Sequence, residues 1–215
     1  MRPTPHGPAS PAGDRANRSA VFLQGLAIGG VSSGDARVDV SMLVAILYPG
    51  SAPRQARAVV REALQEGGAL DDDITDAEII VAELAANCER HARPPYELRL
   101  FNLAGIPTWC EVVDSDPDLG WIPAVLDHSR PQTALDLFAE NGRGLILVRE
   151  LSQRHCRAYA TTTFIANTPA KAIAFALPTL AGTRLTCPPL LHLGRHSARL
   201  LLTDPSAATE HDQDS

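Results

Sequence analysis

The stretch Ala82-Glu-Leu-Ala-Ala-Asn-Cys-Glu-Arg-His-Ala92 constrains the fold and the chemistry of this sequence more than any other segment. Glu83 and Asn87 are four residues apart, so on a helix they lie on one face, one turn from each other. A carboxylate beside a carboxamide offers a base and a neutral oxygen ligand for a hard cation such as Mg²⁺. The alternative is a polar helix face turned to solvent, which is the commoner setting for such a pair.

The sequence on both sides of this stretch alternates between strand and helix patterns. Thr75 followed by Glu78 forms a capping box that predicts the start of the helix, which ends at about Ala92, before two prolines. The other predicted elements are a strand at Met42–Tyr48, a helix at Ala52–Glu66, strands at Tyr96–Phe101 and Thr108–Val113, a helix from Gly142 to about Leu151, and strands at His155–Thr162 and Lys171–Leu177. This order predicts an α+β fold, a two-layer sandwich with helices on one face of a mostly antiparallel sheet.

Two further clusters are candidates for chemistry. Asp114 ends an alternating strand and can accept a hydrogen bond from an exocyclic amine such as that of adenine, or it can simply initiate an Asp-Ser turn. Gly142-Arg143-Gly144-Leu145 opens a helix, where backbone N–H groups and the helix dipole favour phosphate. The alternative there is a helix-entry turn, since neither a Walker A loop nor a complete dinucleotide fingerprint is present.

The composition excludes several classes of protein. The chain has 215 residues, a formal net charge of −6 and no long basic run, so we expect no direct nucleic-acid partner. No apolar stretch reaches the roughly 18 residues of a membrane helix, so we expect no membrane partner either. The four cysteines include no Cys-x-x-Cys pair, which indicates a reducing compartment, and we expect a cytoplasmic protein.

The two ends of the chain differ in composition from the middle. Residues 1–41 are predicted to be an N-terminal arm that is partly disordered, because the first part is rich in Pro, Ser, Gly and Arg. A short apolar run behind two arginines is also compatible with a secretory signal, although polar residues interrupt it. Residues 42–178 are predicted to form the domain, and 179–215 a C-terminal extension whose end is disordered.

The order and spacing of the three clusters resemble the GHKL ATPases, a family that includes DNA gyrase, heat-shock chaperones, histidine kinases and anti-sigma-factor serine kinases. The resemblance is closest to the last group, single-domain regulators of the actinobacterial type, and covers about residues 42–178. It implies the GHKL ATP-binding form of the α+β sandwich. The segments that carry the resemblance are Arg54–Leu64, Ala82–Ala92, Val112-Val-Asp-Ser-Asp-Pro117, Gly142-Arg-Gly-Leu-Ile-Leu-Val148 and Lys171-Ala-Ile-Ala-Phe-Ala-Leu177.

The resemblance implies an ATP site that works with Mg²⁺. By it, Glu83 would be the general base, Asn87 the Mg²⁺ ligand and Asp114 the acceptor for the adenine amine. The phosphates would be cradled by four consecutive residues, Gly142, Arg143, Gly144 and Leu145. Residues 115–141 would form a lid over the nucleotide.

The same resemblance gives His91 and Arg90 a place at the phosphate end of the site, with a helix-capping role as the alternative for either. Two motifs depart from the family's pattern. The first glycine box of the family runs Asp-x-Gly-x-Gly, but here Asp114 is followed by Ser115, Asp116, Pro117 and Asp118. Relatives also carry a Gly-Lys/Thr-Thr run before the last strand, where this chain has Ala170-Lys171-Ala172, so a hydroxyl is missing.

Two functions remain open at the level of sequence. The retained site residues favour an ATP-dependent serine/threonine kinase that phosphorylates an anti-anti-sigma protein and sequesters a sigma factor. The lost glycines favour a non-catalytic protein-binding module of the same fold, with a weakened or empty nucleotide site. In both cases the expected partners are a sigma factor, an anti-anti-sigma protein or both, and the expected assembly is a homodimer.

Overall fold

The computed structural model describes residues 40–127, 142–179 and 183–186. Its strands are β1 (Val40–Leu47), β2 (Tyr96–Leu103), β3 (Ile106–Asp114), β4 (Cys156–Thr162) and β5 (Pro169–Ala176). Its helices are α1 (Ala52–Glu66), α2 (Asp71–His91), α3 (Ile122–Leu126) and α4 (Arg143–Leu151). Among these, none is both long and apolar enough to cross a membrane.

The five strands form one sheet in the order β1-β2-β3-β5-β4, and every neighbouring pair is antiparallel. β2 and β3 are joined by a hairpin whose turn residues, Ala104 and Gly105, have φ of 51° and 79°. Left-handed turn residues match the twist of the flanking strands, and glycine adopts this conformation without steric cost. After α4 the chain returns to β4 at the edge, and β5 then pairs with β3. The start of β5 therefore lies beside the end of β3.

The helices α1, α2 and α4 pack on one face of the sheet and share one apolar core with it. On α1 the buried residues follow each other at intervals of four, so they form one stripe along the helix: Ala52, Ala56, Val60 and Leu64. Alternate strand residues such as Leu98, Val112 and Phe175 supply the sheet side of this core. The predicted α+β sandwich, with helices on one face of an antiparallel sheet, is confirmed.

The predicted start of α2 is wrong by about one turn. The helix begins at Asp71, and Thr75 lies inside it, where its hydroxyl donates to the Asp71 carbonyl at 2.9 Å. Glu78 does not turn back to cap the helix, because it pairs with Arg61 of α1 at 2.7 Å. The three aspartates at residues 71–73 instead place negative charge at the positive end of the helix dipole, which stabilises an earlier start.

Other element bounds change in detail. β2 and β3 are longer than predicted, because the turn between them takes only two residues, Ala104 and Gly105. The segment after β3, the first part of the predicted lid, contains the short helix α3. The rest of the predicted lid, residues 128–141, lies outside the described residues. So do the predicted arm up to residue 39 and most of the predicted C-terminal extension.

The sheet face away from the helices carries a buried ionic network. Arg99 Nη2 donates to Glu97 Oε2 at 2.7 Å, and Arg99 Nη1 lies 3.6 Å from Glu111 Oε2. The Tyr159 hydroxyl donates to Glu111 Oε1, and the Phe164 ring lies 4.3 Å from the guanidinium of Arg99. Two carboxylates thus share one buried guanidinium. Burial raises the pKa of Glu111 and outweighs the lowering effect of Arg99 and Tyr159.

Candidate functional site

Glu83 and Asn87 lie on the side of α2 that meets the first turn of α4. A Cβ built on Gly144 would stand 2.8 Å from Glu83 Oε2 and 3.7 Å from Asn87 Nδ2. Real Cβ atoms essentially never come as close as the first distance, so only glycine allows this approach while Glu83 keeps its position. The structure therefore brings together two of the three clusters that the sequence singled out.

Arg90, one turn after Asn87, reaches back into this cluster. Its Nη2 donates to Asn87 Oδ1 at 2.9 Å and lies 4.0 Å from Glu83 Oε2. The oxygen of Asn87 that would ligate a metal ion therefore already accepts a hydrogen bond. Because the Arg90 side chain is more than half exposed, this bond is readily exchanged for another partner.

The first turn of α4 presents backbone N–H groups next to Glu83. Gly142 is the N-cap residue and makes no side-chain capping bond, so no side chain of the cap itself occupies the first N–H groups. Arg143 is exposed at the first helical position, whereas the Leu145 side chain is buried in the core. Leu145 can therefore contribute to a phosphate cradle only through its backbone, while its side chain anchors α4 to the sheet.

Asp114, the third cluster, is buried at the end of β3 and faces the helices. Its Oδ1 accepts hydrogen bonds from Lys171 Nζ at 2.9 Å and from the Asp116 N–H at 3.0 Å. Its Oδ2 faces the thiol of Cys88 at 3.6 Å. Burial and the Asp114 charge raise the pKa of Cys88, so the thiol stays protonated and acts as the weak donor. Since Cys88 follows Asn87 on α2, this helix contacts both of the other clusters.

Lys171 connects Asp114 to Asp116, the acidic residue that replaces a glycine of the first glycine box. It lies directly opposite Asp114 in the β3–β5 pairing, and its ammonium also donates to the backbone carbonyl and the carboxylate of Asp116, at 3.0 and 3.1 Å. Three acceptors satisfy its three donors. Burial lowers the pKa of Lys171, but the bonds to the two aspartates outweigh burial and raise it above 10.5.

The negative charge of Asp116 is balanced by the ammonium of Lys171. A hydrogen bond from the Asp118 N–H and the bond from Lys171 lower the pKa of Asp116, which keeps its carboxylate ionised. Asp116, which replaces a glycine of the first glycine box, therefore directs its carboxylate toward Lys171. This Asp116–Lys171 contact could not be found from spacing, because the two residues are 55 positions apart.

His91 occupies the last position of α2 and is exposed. Within the described residues it makes no hydrogen bond or ion pair, so no described contact joins it to Glu83 and Asn87. Its predicted place beside the phosphates stays a prediction. Arg90, in contrast, is joined to both of those residues by the contacts given above.

The side chains present fit the Mg²⁺ and the nucleotide that the resemblance implies. Asn87 and Glu83 are oxygen donors of the kind that Mg²⁺ accepts, and they lie against the first turn of a helix that favours phosphate. The Glu83 carboxylate occupies the space that a side chain at Gly144 would need, so this glycine is part of the same cluster. A carboxylate, a carboxamide and a helix start, the groups that suit a base, a metal ligand and a phosphate site, are therefore assembled around one turn of α2.

Comparison with known proteins identifies the family of this domain. A family model described as the histidine kinase-like ATPase domain matches residues 50–163, which is more than half of the chain. Among curated proteins, a sequence search finds no match. The matched region runs from the turn before α1 to the end of β4 and includes all three clusters. The chain belongs to the histidine kinase-like ATPase domain family, whose members point to an ATP-binding regulatory function.

Proposed function

We propose that this chain binds Mg²⁺-ATP and acts as a serine/threonine kinase on an anti-anti-sigma protein, and that it controls a sigma factor in this way. One observation carries the catalytic part of the proposal. The Glu83 carboxylate lies against Gly144 in the first turn of α4, and is thus beside the N–H groups that favour phosphate.

Each residue of the cluster has a role in this proposal. Asn87 would hold Mg²⁺, which supplies charge neutralisation on the phosphate oxygens when it is bound. The backbone of residues 142–145 would bind the phosphates. Glu83 would accept the proton of the incoming serine hydroxyl, whose oxygen then bonds to the γ-phosphorus. The bond from that phosphorus to the β–γ bridging oxygen breaks, and ADP leaves.

Nucleotide binding is tested by thermal denaturation with and without millimolar Mg²⁺-ATP. A ligand that binds the folded state raises the melting temperature by mass action. We expect a rise for the wild type, and we expect Asn87→Ala to lose the Mg²⁺-dependent part while melting normally without ligand, because a helix tolerates alanine. No rise for the wild type would remove the basis of the kinase proposal.

Catalysis is tested by transfer of labelled phosphate to candidate partners encoded near this gene. Glu83→Gln keeps the size of the side chain but removes the base, and positioned general bases contribute about 10²- to 10⁴-fold. We expect a loss of transfer of that order, with Mg²⁺-ATP binding retained. Glu66→Gln, an exposed change at the end of α1, is the matched control and should transfer at the wild-type rate.

The second candidate is a non-catalytic regulator of the same fold. It is favoured by the contacts that already occupy the ligand-binding oxygens: Arg90 on Asn87, and Lys171 on Asp114. A chain that binds the partner but neither binds nor transfers from ATP would support this candidate. Transfer that Glu83→Gln abolishes would exclude it.

We also propose a homodimer, which light scattering of the purified chain tests directly.

A further inference from the structure

A second feature shares Glu83 with the candidate site. A groove of about 520 Å³ runs between α1 and α2, and Glu83 is among the residues that line it. The wall on the α1 side carries three arginines, Arg54, Arg57 and Arg61, which follow each other at intervals of three and four residues. Such spacing places all three on one face of the helix. The groove is therefore positively charged along one wall.

Two contacts define how the helices run past each other. The Ala52 N–H near the start of α1 donates to Glu89 near the end of α2, at 3.0 Å. Arg61, toward the end of α1, pairs with Glu78 near the start of α2, at 2.7 Å. The two helices are thus antiparallel, and the part of α1 between these contacts faces the part of α2 that contains Glu83. Arg54 and Arg57 lie in that part.

The positive charge is therefore not evenly available along the groove. Glu78 neutralises Arg61 at one end and raises the pKa of its guanidinium through their hydrogen bond. Arg54 and Arg57 are both exposed, and no ion pair involves either of them within the described residues. The available charge is concentrated at the end where the groove reaches Glu83.

We propose that this groove is the docking site for an acidic segment of a partner protein and that the segment delivers its hydroxyl to Glu83. The proposal rests on the kinase function proposed above and names the chemistry of its substrate. Glu83 borders both the groove and the first turn of α4. A hydroxyl that enters along the groove thus reaches the carboxylate from one side, while the phosphates bind on the other.

The lining of the groove favours a polypeptide over a nucleic acid. Besides the arginines it contains neutral and apolar contacts from Ala58, Thr75, Ile79 and Ala82. Two glutamates, Glu78 and Glu83, also lie in it and would repel a continuous phosphate backbone. Acidic side chains that alternate with small residues can contact the arginines and avoid the glutamates.

The test uses the full chain and a fluorescein-labelled nonapeptide in which four acidic residues alternate with alanines around a central serine. Fluorescence polarisation at low salt should detect binding that weakens as salt rises, because salt screens exposed charges. The double variant Arg54→Glu/Arg57→Glu should bind at least about 10-fold more weakly, since charge reversal replaces attraction by repulsion. The matched control is Arg154→Glu/Arg157→Glu, two exposed arginines next to and within β4, which should change binding less than about 2-fold.

Several results would overturn the proposal. These are no binding of the acidic peptide at low salt, an equal loss in both double variants, or equal binding of a peptide with lysine in place of the acidic residues. Tighter binding of a single-stranded DNA 12-mer, lost in the Arg54→Glu/Arg57→Glu variant, would assign the groove to nucleic acid instead.

Mg²⁺-ATP titration of the same proteins separates this proposal from the kinase proposal. The groove variant should bind Mg²⁺-ATP like the wild type, because neither arginine belongs to the nucleotide cluster. If the wild type binds the peptide through Arg54 and Arg57 but does not bind ATP, docking stands and the kinase proposal fails. If ATP binds and the peptide binds equally well to the wild type and to the Arg54→Glu/Arg57→Glu variant, the docking proposal alone fails.

Discussion

Lys171 Nζ lies 3.1 Å from Asp116 Oδ2, so the acidic residue that replaces a glycine of the first glycine box forms an ion pair with the lysine that lies opposite Asp114 in β5. An isolated aspartate in the glycine box would bring negative charge toward the phosphates. With Lys171 beside it, that charge is directed into a local cluster with Asp114. Lys171 therefore balances the negative charge that Asp116 adds to the glycine box.

Removal of Lys171 should lower the free energy of unfolding much more than removal of the Asp116 charge. Lys171→Met leaves Asp114 as a buried carboxylate without its cation, and breaking a buried pair in this way costs about 3 to 5 kcal/mol. Asp116→Asn removes the partner whose side chain is 41% exposed, and exposed pairs contribute less than about 1 kcal/mol. Urea denaturation should show this difference. Similar losses for both variants would contradict it.

Gly144→Ala should separate stability from function. Alanine is the better helix former by about 1 kcal/mol, and the clash falls on the mobile end of the Glu83 side chain, so stability should change by less than about 1 kcal/mol. Glu83 must move, however, and a displacement of about 1 Å in a catalytic group can cost about 10²-fold in rate. For the proposed kinase, the rate of phosphate transfer should therefore fall about 10²-fold, while the free energy of unfolding changes little.

Leu147→Ala is the matched control for this substitution. It lies on the same helix, and its side chain is exposed to solvent. Transfer at the wild-type rate in both variants would show that Glu83 does not need its position against α4.

The fold could be predicted from sequence where local signals agree. The sequence predicts α1 with its observed bounds, because a four-residue apolar spacing coincides with a proline near its start and a glycine after its end. The start of α2 was misplaced because two local signals compete, a capping box at Thr75 and an acidic first turn at residues 71–73. In the structure the acidic first turn marks the start of the helix, since Glu78 pairs with Arg61 of α1 and does not form the capping box.

The site could be predicted only in part, for a different physical reason. The residues on α2 are recognisable because they share one helix face. The partners of Asp114, in contrast, depend on which residue of β5 lies opposite it, and strand register is not visible in the sequence. The alternation in β2 likewise predicts two faces, but not that Glu97 and Arg99 are buried on the face without helices.

The stability of the chain should respond to pH through Glu111. Its pKa in the folded state is raised above the ordinary value of 4.5 by burial, so the folded state binds the proton more tightly than the unfolded state does. The stability linked to this proton is complete below 4.5 and is lost as pH rises through the folded-state pKa. Glu111→Gln removes the titration and keeps the size of the side chain.

The expected result is a difference between wild type and Glu111→Gln that changes with pH. As pH rises from about 4.5 toward neutrality, the wild type should lose stability relative to the variant, measured by urea denaturation at each pH. Glu66→Gln, an exposed change at the end of α1, controls for a general effect of removing one negative charge. A pH-independent difference for Glu111→Gln would show that the buried carboxyl titrates alike in both states.

The selectivity for adenine should depend on a single oxygen of Asp114. Its Oδ1 already accepts bonds from Lys171 and the Asp116 N–H, whereas among the described residues Oδ2 has only the weak thiol donor of Cys88. An adenine amine would therefore bond to Oδ2. Inosine triphosphate and GTP carry a carbonyl where ATP carries this amine, so oxygen lone pairs would face the carboxylate.

A hydrogen bond to a charged group contributes about 1.5 to 3 kcal/mol, so wild-type protein should prefer ATP to either by about 10- to 100-fold in competition binding. The comparison uses different nucleotides on one protein because Asp114→Asn would also break the pair with Lys171. Equal affinities for the three nucleotides would remove Asp114 from base recognition and leave it with its structural bond to Lys171.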